Sequence, residues 1–368
     1  MKTLTRKIIA IILALSFALG LTGCELLTGN PNQDPGNGPS QEPVEIENLI
    51  LFIGDGMGYN HIENTRFYYG INKFVFEDSP SCDINTASRS SSVTDSAAAA
   101  TAMATGNKAN NGEIGKSDGV EVTSISEIAK ASGKKVGIIT TDYLHGATPS
   151  GFSAHASGRN AQAEIAATQS ASNVDLLIAK HDATYHSNYS NLYTENGYTM
   201  VVNDENYADY KTEDKLVITF NDTSSKDNGG FNYYQLSTLL EFAIEYLDNE
   251  NGFFLMVEGA YIDKYSHSKN IYATMPEVKG LTEAVEYGYN YIDENPDTVA
   301  LLTADHETGG LNKAFTGEDF RSDYLYSHGN HSGALVPLYV YNFDFTDNVG
   351  SIRENTMIFQ LCRDILKI

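Results

Sequence analysis

With 368 residues, 41% of them hydrophobic, and with 23 Tyr, 16 Phe and no Trp, the chain has the composition of a globular protein with ample core material, which excludes a disordered chain. Its 48 acidic residues against 24 basic ones leave a formal net charge of -24, which excludes nucleic acid and anionic lipid headgroups as partners. Anionic substrates would be repelled too, unless cations bound inside the site reversed the field locally.

The first segment reads as an address. Lys2, Arg6 and Lys7 precede the apolar run Ile8 to Leu21, which is too short and too early for a membrane span. The run closes on Leu21-Thr22-Gly23-Cys24, which resembles a bacterial lipoprotein signal. Residues 1–23 are therefore expected to be a signal peptide, with Cys24 lipidated as the first mature residue; an ordinary signal with an incidental cysteine is the alternative. Residues 24–45, rich in Pro, Gly and Asn, should be a flexible tether, which leaves residues 46–368 for the folded part. The expected location is extracytoplasmic, lipid-anchored to the bacterial cell membrane. An extracytoplasmic compartment permits disulfides, but nothing in the sequence brings Cys82 and Cys362 together, and they are left unpaired.

Beyond the tether, apolar strand-like runs alternate with helical patterns. Strands are expected at residues 48–53, 82–87, 135–140, 174–178, 198–202, 216–220, 253–257, 299–303 and 335–341, and helices at 124–131, 235–247, 277–293 and 355–366. Several of the runs are apolar on both faces, as in a sheet covered by helices on both sides. The fold class is α/β: a single doubly wound α/β/α sandwich around a central, mostly parallel sheet. In such folds ligands gather beyond the carboxyl ends of the strands, so the residues after each strand are the ones to inspect.

The first strand ends in Gly54-Asp55-Gly56-Met57-Gly58, a carboxylate in a glycine-rich turn. Next comes Thr94-Asp95-Ser96, followed by an alanine-rich helix through Thr105 that ends at Gly106. A serine there either caps the helix or faces its positive end as a nucleophile, a place that favours an alkoxide or a bound phosphate. After the strand at 135–140 stand Thr148, a hydroxyl suited to a hard cation, and Arg159, a planar fork matched to phosphate oxygens. Glu258 closes an apolar strand, where an unpaired carboxylate is costly. Asp263 and His267, four apart, share one face if the segment turns as a helix. Asp305 and His306 follow the strand at 299–303, and His331 precedes the last strand.

Together these segments resemble the alkaline phosphatase family. The resemblance covers residues 46 to the C-terminus and is carried, in order, by Ile53-Gly54-Asp55-Gly56-Met57-Gly58, Asp95-Ser96-Ala97, Ala147-Thr148-Pro149, Val257-Glu258-Gly259, Ile262-Asp263-Lys264, Thr303-Ala304-Asp305-His306 and His331-Ser332-Gly333. It implies an alkaline phosphatase-like catalytic domain that hydrolyses small phosphate monoesters through a phosphoserine on Ser96, with Arg159 gripping the phosphate. It implies two Zn2+, one held by Asp263, His267 and His331 and the other by Asp55, Asp305 and His306, and one Mg2+ held by Asp55, Thr148 and Glu258. Imidazole with carboxylate suits zinc and the all-oxygen set suits magnesium. Lys264 resembles a lysine that reaches phosphate through water, with a plain ion pair as its other reading. The resemblance also allows a homodimer.

The chain departs from the family pattern at Gly146, where relatives often place a carboxylate or imidazole near the third metal, and in the trimmed span between Arg159 and Glu258. His145, His155 and His328 lie near the motifs without matching ligand positions, and packing or hydrogen-bonding roles are expected for them. Glu307 either orients a ligand or faces solvent. Two other readings stand beside the monoesterase: a phosphodiesterase or other metalloenzyme of the same superfamily, and a lipoprotein that binds phosphate without chemistry.

Overall fold

Residues 44–223, 235–317, 320 and 325–368 are described by the computed structural model of the chain. The expected signal peptide, Cys24 and all but the end of the expected tether lie outside these residues. In chain order the elements are β1 (Asn48–Gly54), α1 (Tyr59–Tyr69), β2 (Ser81–Asn85), α2 (Ser96–Thr105), β3 (Lys116–Ser117), β4 (Val120–Glu121), α3 (Ile125–Ala131), β5 (Lys135–Tyr143), α4 (Ala147–Ser153) and α5 (Gln162–Ala171). Then follow β6 (Leu176–Lys180), α6 (Ala183–Glu195), β7 (Thr199–Val202), β8 (Leu216–Phe220), α7 (Leu236–Leu247), β9 (Phe253–Gly259), α8 (Tyr261–His267) and α9 (Ile271–Glu294). The chain closes with β10 (Thr298–Ala304), β11 (Glu307–Thr308), β12 (His331–Ser332), β13 (Val336–Tyr341), β14 (Ile352–Glu354) and α10 (Met357–Leu366).

Ten of the strands form one sheet in the order β14-β2-β13-β10-β1-β9-β5-β6-β8-β7. Within it β13 alone runs against its neighbours, pairing antiparallel with β10 and β2, so the sheet is mostly parallel as expected. Strands β1, β9 and β10 are buried along their whole length, because helices cover both faces: α7 and α9 on one side, α2, α3, α4 and α10 on the other. Hence their near-continuous apolar sequences.

The parallel register sets the level at which functional groups emerge. Gly54 of β1 stands opposite both Ala304 of β10 and Gly259 of β9, so Asp55 and Asp305 leave the sheet side by side, and Glu258, opposite Ile53, lies two residues below them. On the next strand Thr140 is opposite Glu258.

Every residue of α2 is buried. Its alanines serve close packing as well as helix propensity: a Cβ on Gly151 of α4 would stand 2.7 Å from the Cβ of Ala100. Helix α4 itself escapes sequence reading because Pro149 and Gly151 signal a turn, yet a proline in the first turn of a helix loses no hydrogen bond. Helices α1, α5 and α6 were not expected either; α1 and α6 are rich in Asn and Tyr, α5 in Ala and Gln, and each buries only a few side chains. The helix expected at 277–293 starts earlier, at Ile271, with the Asn270 side chain accepting from the Ala273 N–H. Pro276 lies inside it, and the carbonyl that the proline leaves unpaired belongs to Tyr272, an exposed residue that water can serve. Cys82 and Cys362 are both buried and free.

Candidate active site

The residues expected to act together do converge at the carboxyl edge of β1, β9 and β10. Asp95, not Ser96, caps α2: its carboxylate accepts from the N–H groups of Ala98 and Gly112, both at 3.0 Å, and ion-pairs with Arg159 at 3.0 Å. Ser96 is thereby released from capping. Its hydroxyl, almost fully buried, lies 3.2 Å from Nε2 of His306. Arg159 is tied to the same helix start through Asp95 while remaining partly exposed.

Three imidazoles are fixed so that Nε2 points inward. Nδ1 of His267 donates to the Gly329 carbonyl at 2.8 Å, and Nδ1 of His331 to the Thr94 carbonyl at 2.9 Å. Carbonyls only accept, so each ring keeps a proton on Nδ1 and Nε2 is the atom that offers a lone pair when the ring is neutral; the two Nε2 atoms face each other at 3.1 Å. His306 is set the same way. Thr308 donates to Asp263 Oδ1 at 2.5 Å and so accepts from His306 Nδ1 at 3.2 Å, which leaves His306 Nε2 free toward Asp305 at 3.3 Å and Asp55 at 3.6 Å. Asp263 and His267 do share a helical face on α8, with 3.2 Å between carboxylate and ring nitrogen.

The carboxylates show what the arrangement lacks. Asp55 Oδ1, Asp305 Oδ2 and the Thr148 hydroxyl are buried with no hydrogen-bond partner. Burial, and then the neighbouring Asp305, hold Asp55 well above the usual carboxylate range. Burial and Asp142 push Glu258 up to about 8, although Thr140 donates to it, and burial raises Asp305 to about 6. Asp263 goes the other way: burial opposes ionisation, but the contacts with His267 and His306 outweigh it and hold the carboxyl below the usual range. Hydrogen bonding to Asp263 raises His267 to about 9, whereas burial lowers His306 to about 4. Converging lone pairs and anions of this kind, dry and unpaired, fit divalent cations and little else. Asp263, His267 and His331 form one group able to hold an ion; Asp55, Asp263 and His306 form a second, with the free oxygen of Asp305 beside it. Asp263 therefore borders both groups, where the sequence assigned it to one.

The remaining expected residues fall as follows. Lys264 ion-pairs with Asp142, a partner not singled out in the sequence. Glu307 is no ligand and does not face solvent: its carboxylate accepts from the N–H groups of Gly310 and Leu311 and from Ser332, holding β11 and β12 together. His145, His155 and His328 pair with Asp182, Glu127 and the Asn330 N–H, as hydrogen-bonding roles require. Missing from the sequence reading were Asp95 and Thr308, although both stand inside the runs that carry the motifs. The turn requires a glycine at Gly56, which sits at φ 74° and where a Cβ would meet the Thr308 hydroxyl at 2.7 Å.

A doubly wound sheet with a divalent-cation centre at the carboxyl ends of its middle strands is the class these features define. A sequence model of the alkaline phosphatase family matches residues 46–187 and 180–356, and the chain belongs to that family. It is 29% identical over 308 residues to alkaline phosphatase 4 of Bacillus subtilis strain 168, covering 76% of this chain and 65% of that protein. Alkaline phosphatase 3 of the same organism is 31% identical, over 72% of this chain and 62% of its own length. The matched stretch thus spans less than two thirds of either Bacillus protein. Among solved structures, the alkaline phosphatase of the Antarctic bacterium TAB5 superposes with a TM-score of 0.78 at 29% identity, covering 89% of this chain and 99% of that one. A TAB5 variant, His 135 Glu, carries Mg in its M3 site and superposes with a TM-score of 0.76.

Proposed function

We propose that the chain hydrolyses phosphate monoesters through a phosphoserine on Ser96, releasing inorganic phosphate and an alcohol. The observation that carries this reading is the Ser96 hydroxyl: it begins a buried helix whose cap is supplied by Asp95, and it faces His306 within the cation-seeking cluster. Asp263, His267 and His331 would hold one Zn2+, and Asp55, Asp305 and His306 a second; Asp55, Thr148 and Glu258 would hold Mg2+, as the orphaned Asp55 and Thr148 oxygens favour. Bound there, the cations supply Lewis-acid stabilisation of the attacking and departing oxygens in an in-line displacement.

The chain's own groups do the rest. Helix α2 presents its positive end to Ser96 Oγ, favouring the alkoxide that attacks phosphorus. Arg159, oriented by Asp95, spans two nonbridging oxygens of the phosphoryl group and holds it through attack and hydrolysis. As the bond from Ser96 to phosphorus forms, the bond to the alcohol oxygen breaks and that oxygen takes a proton from water. A second water then displaces Ser96 and frees phosphate. A fork addressed to nonbridging oxygens suits a monoester better than a diester, in which one of them is esterified. Rates of phosphate release from phenyl phosphate and of phenol release from diphenyl phosphate, with elemental analysis of the same sample, test the reading. A faster diester, or a fully active sample free of metal, would overturn it.

We further infer that residues 1–23 are a signal peptide and that Cys24 carries a lipid anchoring the mature chain outside the cell membrane, supported by the Leu21 to Cys24 tetrapeptide that closes the apolar run. Expressed in bacteria, the protein is expected in the membrane fraction, and Cys24→Ala is expected to move it out of that fraction. Radiolabelled palmitate incorporated equally into both forms would refute the anchor.

A further inference from the structure

Beside the cation cluster, one strand further along the sheet, lies a group of side chains with no part in the chemistry above. Lys180 ends β6 and is paired in register with Tyr143 at the end of β5. Tyr261 opens α8, two residues before Asp263. The Lys180 ammonium donates to the Tyr261 hydroxyl and stands 4.9 Å from the Tyr261 ring centre and 5.6 Å from that of Tyr143. Lys264 approaches the same two rings, at 5.3 Å from Tyr261 and 5.5 Å from Tyr143. All four side chains are half-buried.

Two ammonium groups crowded on one pair of rings repel each other, as their mutual influence shows. Asp142 neutralises Lys264, but among the described residues Lys180 has no carboxylate within ion-pair distance. A lysine ammonium has three donors, and the tyrosine hydroxyl uses one of them. The group formed by the two lysines and Asp142 is therefore net positive, in a chain whose formal charge is -24. The group adjoins the cation cluster: Lys264 follows Asp263 in sequence and feels the charge of Asp55.

We propose that Lys180, with Lys264 and the rings of Tyr143 and Tyr261, is a subsite for a second anionic group on the alcohol part of the substrate, so that the chain prefers monoesters whose alcohol bears a further phosphate or carboxylate. The inference rests on the monoesterase reading. The carbon chain between the two anions lies against the tyrosine faces while Lys180 receives the second anion through its two free N–H donors.

The test compares hydroxyalkyl phosphates of three to six carbons with the matching alkanediol bisphosphates and carboxyalkyl phosphates, using the metal-loaded protein. At one chain length kcat/KM for the dianionic-ended compounds is expected to exceed that of the hydroxyl compound by about fivefold, mostly through KM, and beyond the factor of two that a bisphosphate has from its two ends. The carboxylate arm separates a general demand for negative charge from a demand for phosphate. In Lys180→Met the ratio should fall to about one, and Lys180→Arg should keep most of it. Equal rates on all three compounds in the wild-type protein, or a preference unchanged in Lys180→Met, would overturn the subsite alone. No phosphate release from any compound would instead bring down the monoesterase reading on which it stands.

Discussion

Ser96→Ala is expected to abolish the phosphoenzyme recovered when substrate is quenched in acid, and to lower kcat by on the order of a thousandfold or more. Slow turnover should remain, because the cations and Arg159 still stabilise a direct attack by water. Stability should hardly move. Asp95 supplies the cap of α2, and alanine is favoured in a helix, so the change should stay within about 0.5 kcal/mol. This combination, a collapsed rate on an intact fold with unchanged metal content, separates a nucleophile from a capping residue. A phosphoserine found at another position, or undiminished turnover, would end the assignment.

Stripping the metals with a strong chelator is expected to remove activity entirely, and zinc with magnesium to restore it. Stability should suffer as well, with a fall in Tm on the order of 10 °C, since ions that bind only the folded chain stabilise it by mass action. The loss should deepen with pH. Glu258, raised to about 8 in the metal-free fold, stabilises that fold while it keeps its proton, which it does fully below its unfolded value; the contribution disappears as pH rises through 8. His267, raised to about 9, adds stability that is likewise lost on the way up. Calorimetry at pH 6.5 and pH 9 should thus show the gap between loaded and stripped protein widening at the higher value. An equal gap at both, with metal content verified, would contradict the placement of these groups around the cations.

Much of this site was readable before any coordinates because its donors follow directly on strands. Asp55, Glu258 and Asp305 come where an apolar run stops, and a polar group there has to lie at the sheet edge. The spacing of Asp263 and His267 needed only a single helical turn. Other features depended on neighbours that a linear reading cannot see. Asp and Ser both cap helices, so the division of labour between Asp95 and Ser96 became visible only when Gly112 and Arg159 were found on the aspartate. Thr308 acquires its role by touching Asp263 and His306 at once. Helix α4 was hidden because its proline and glycine serve packing against α2 rather than a turn, and Lys180 was hidden because a strand-end lysine is ordinary until two tyrosines, one from β5 and one from α8, close on it.

The side-by-side emergence of Asp55 and Asp305 has a consequence for how the protein comes into being. Gly56 and Asp305, joined by a hydrogen bond, are 249 residues apart along the chain. Closing so long a loop costs entropy that no local contact offsets, and contacts of this kind form late on the way to the native state. A chain that has not yet folded has no site to load. The ions must therefore be taken up after folding, and the metal content of the protein reports the supply at the place where the chain folds.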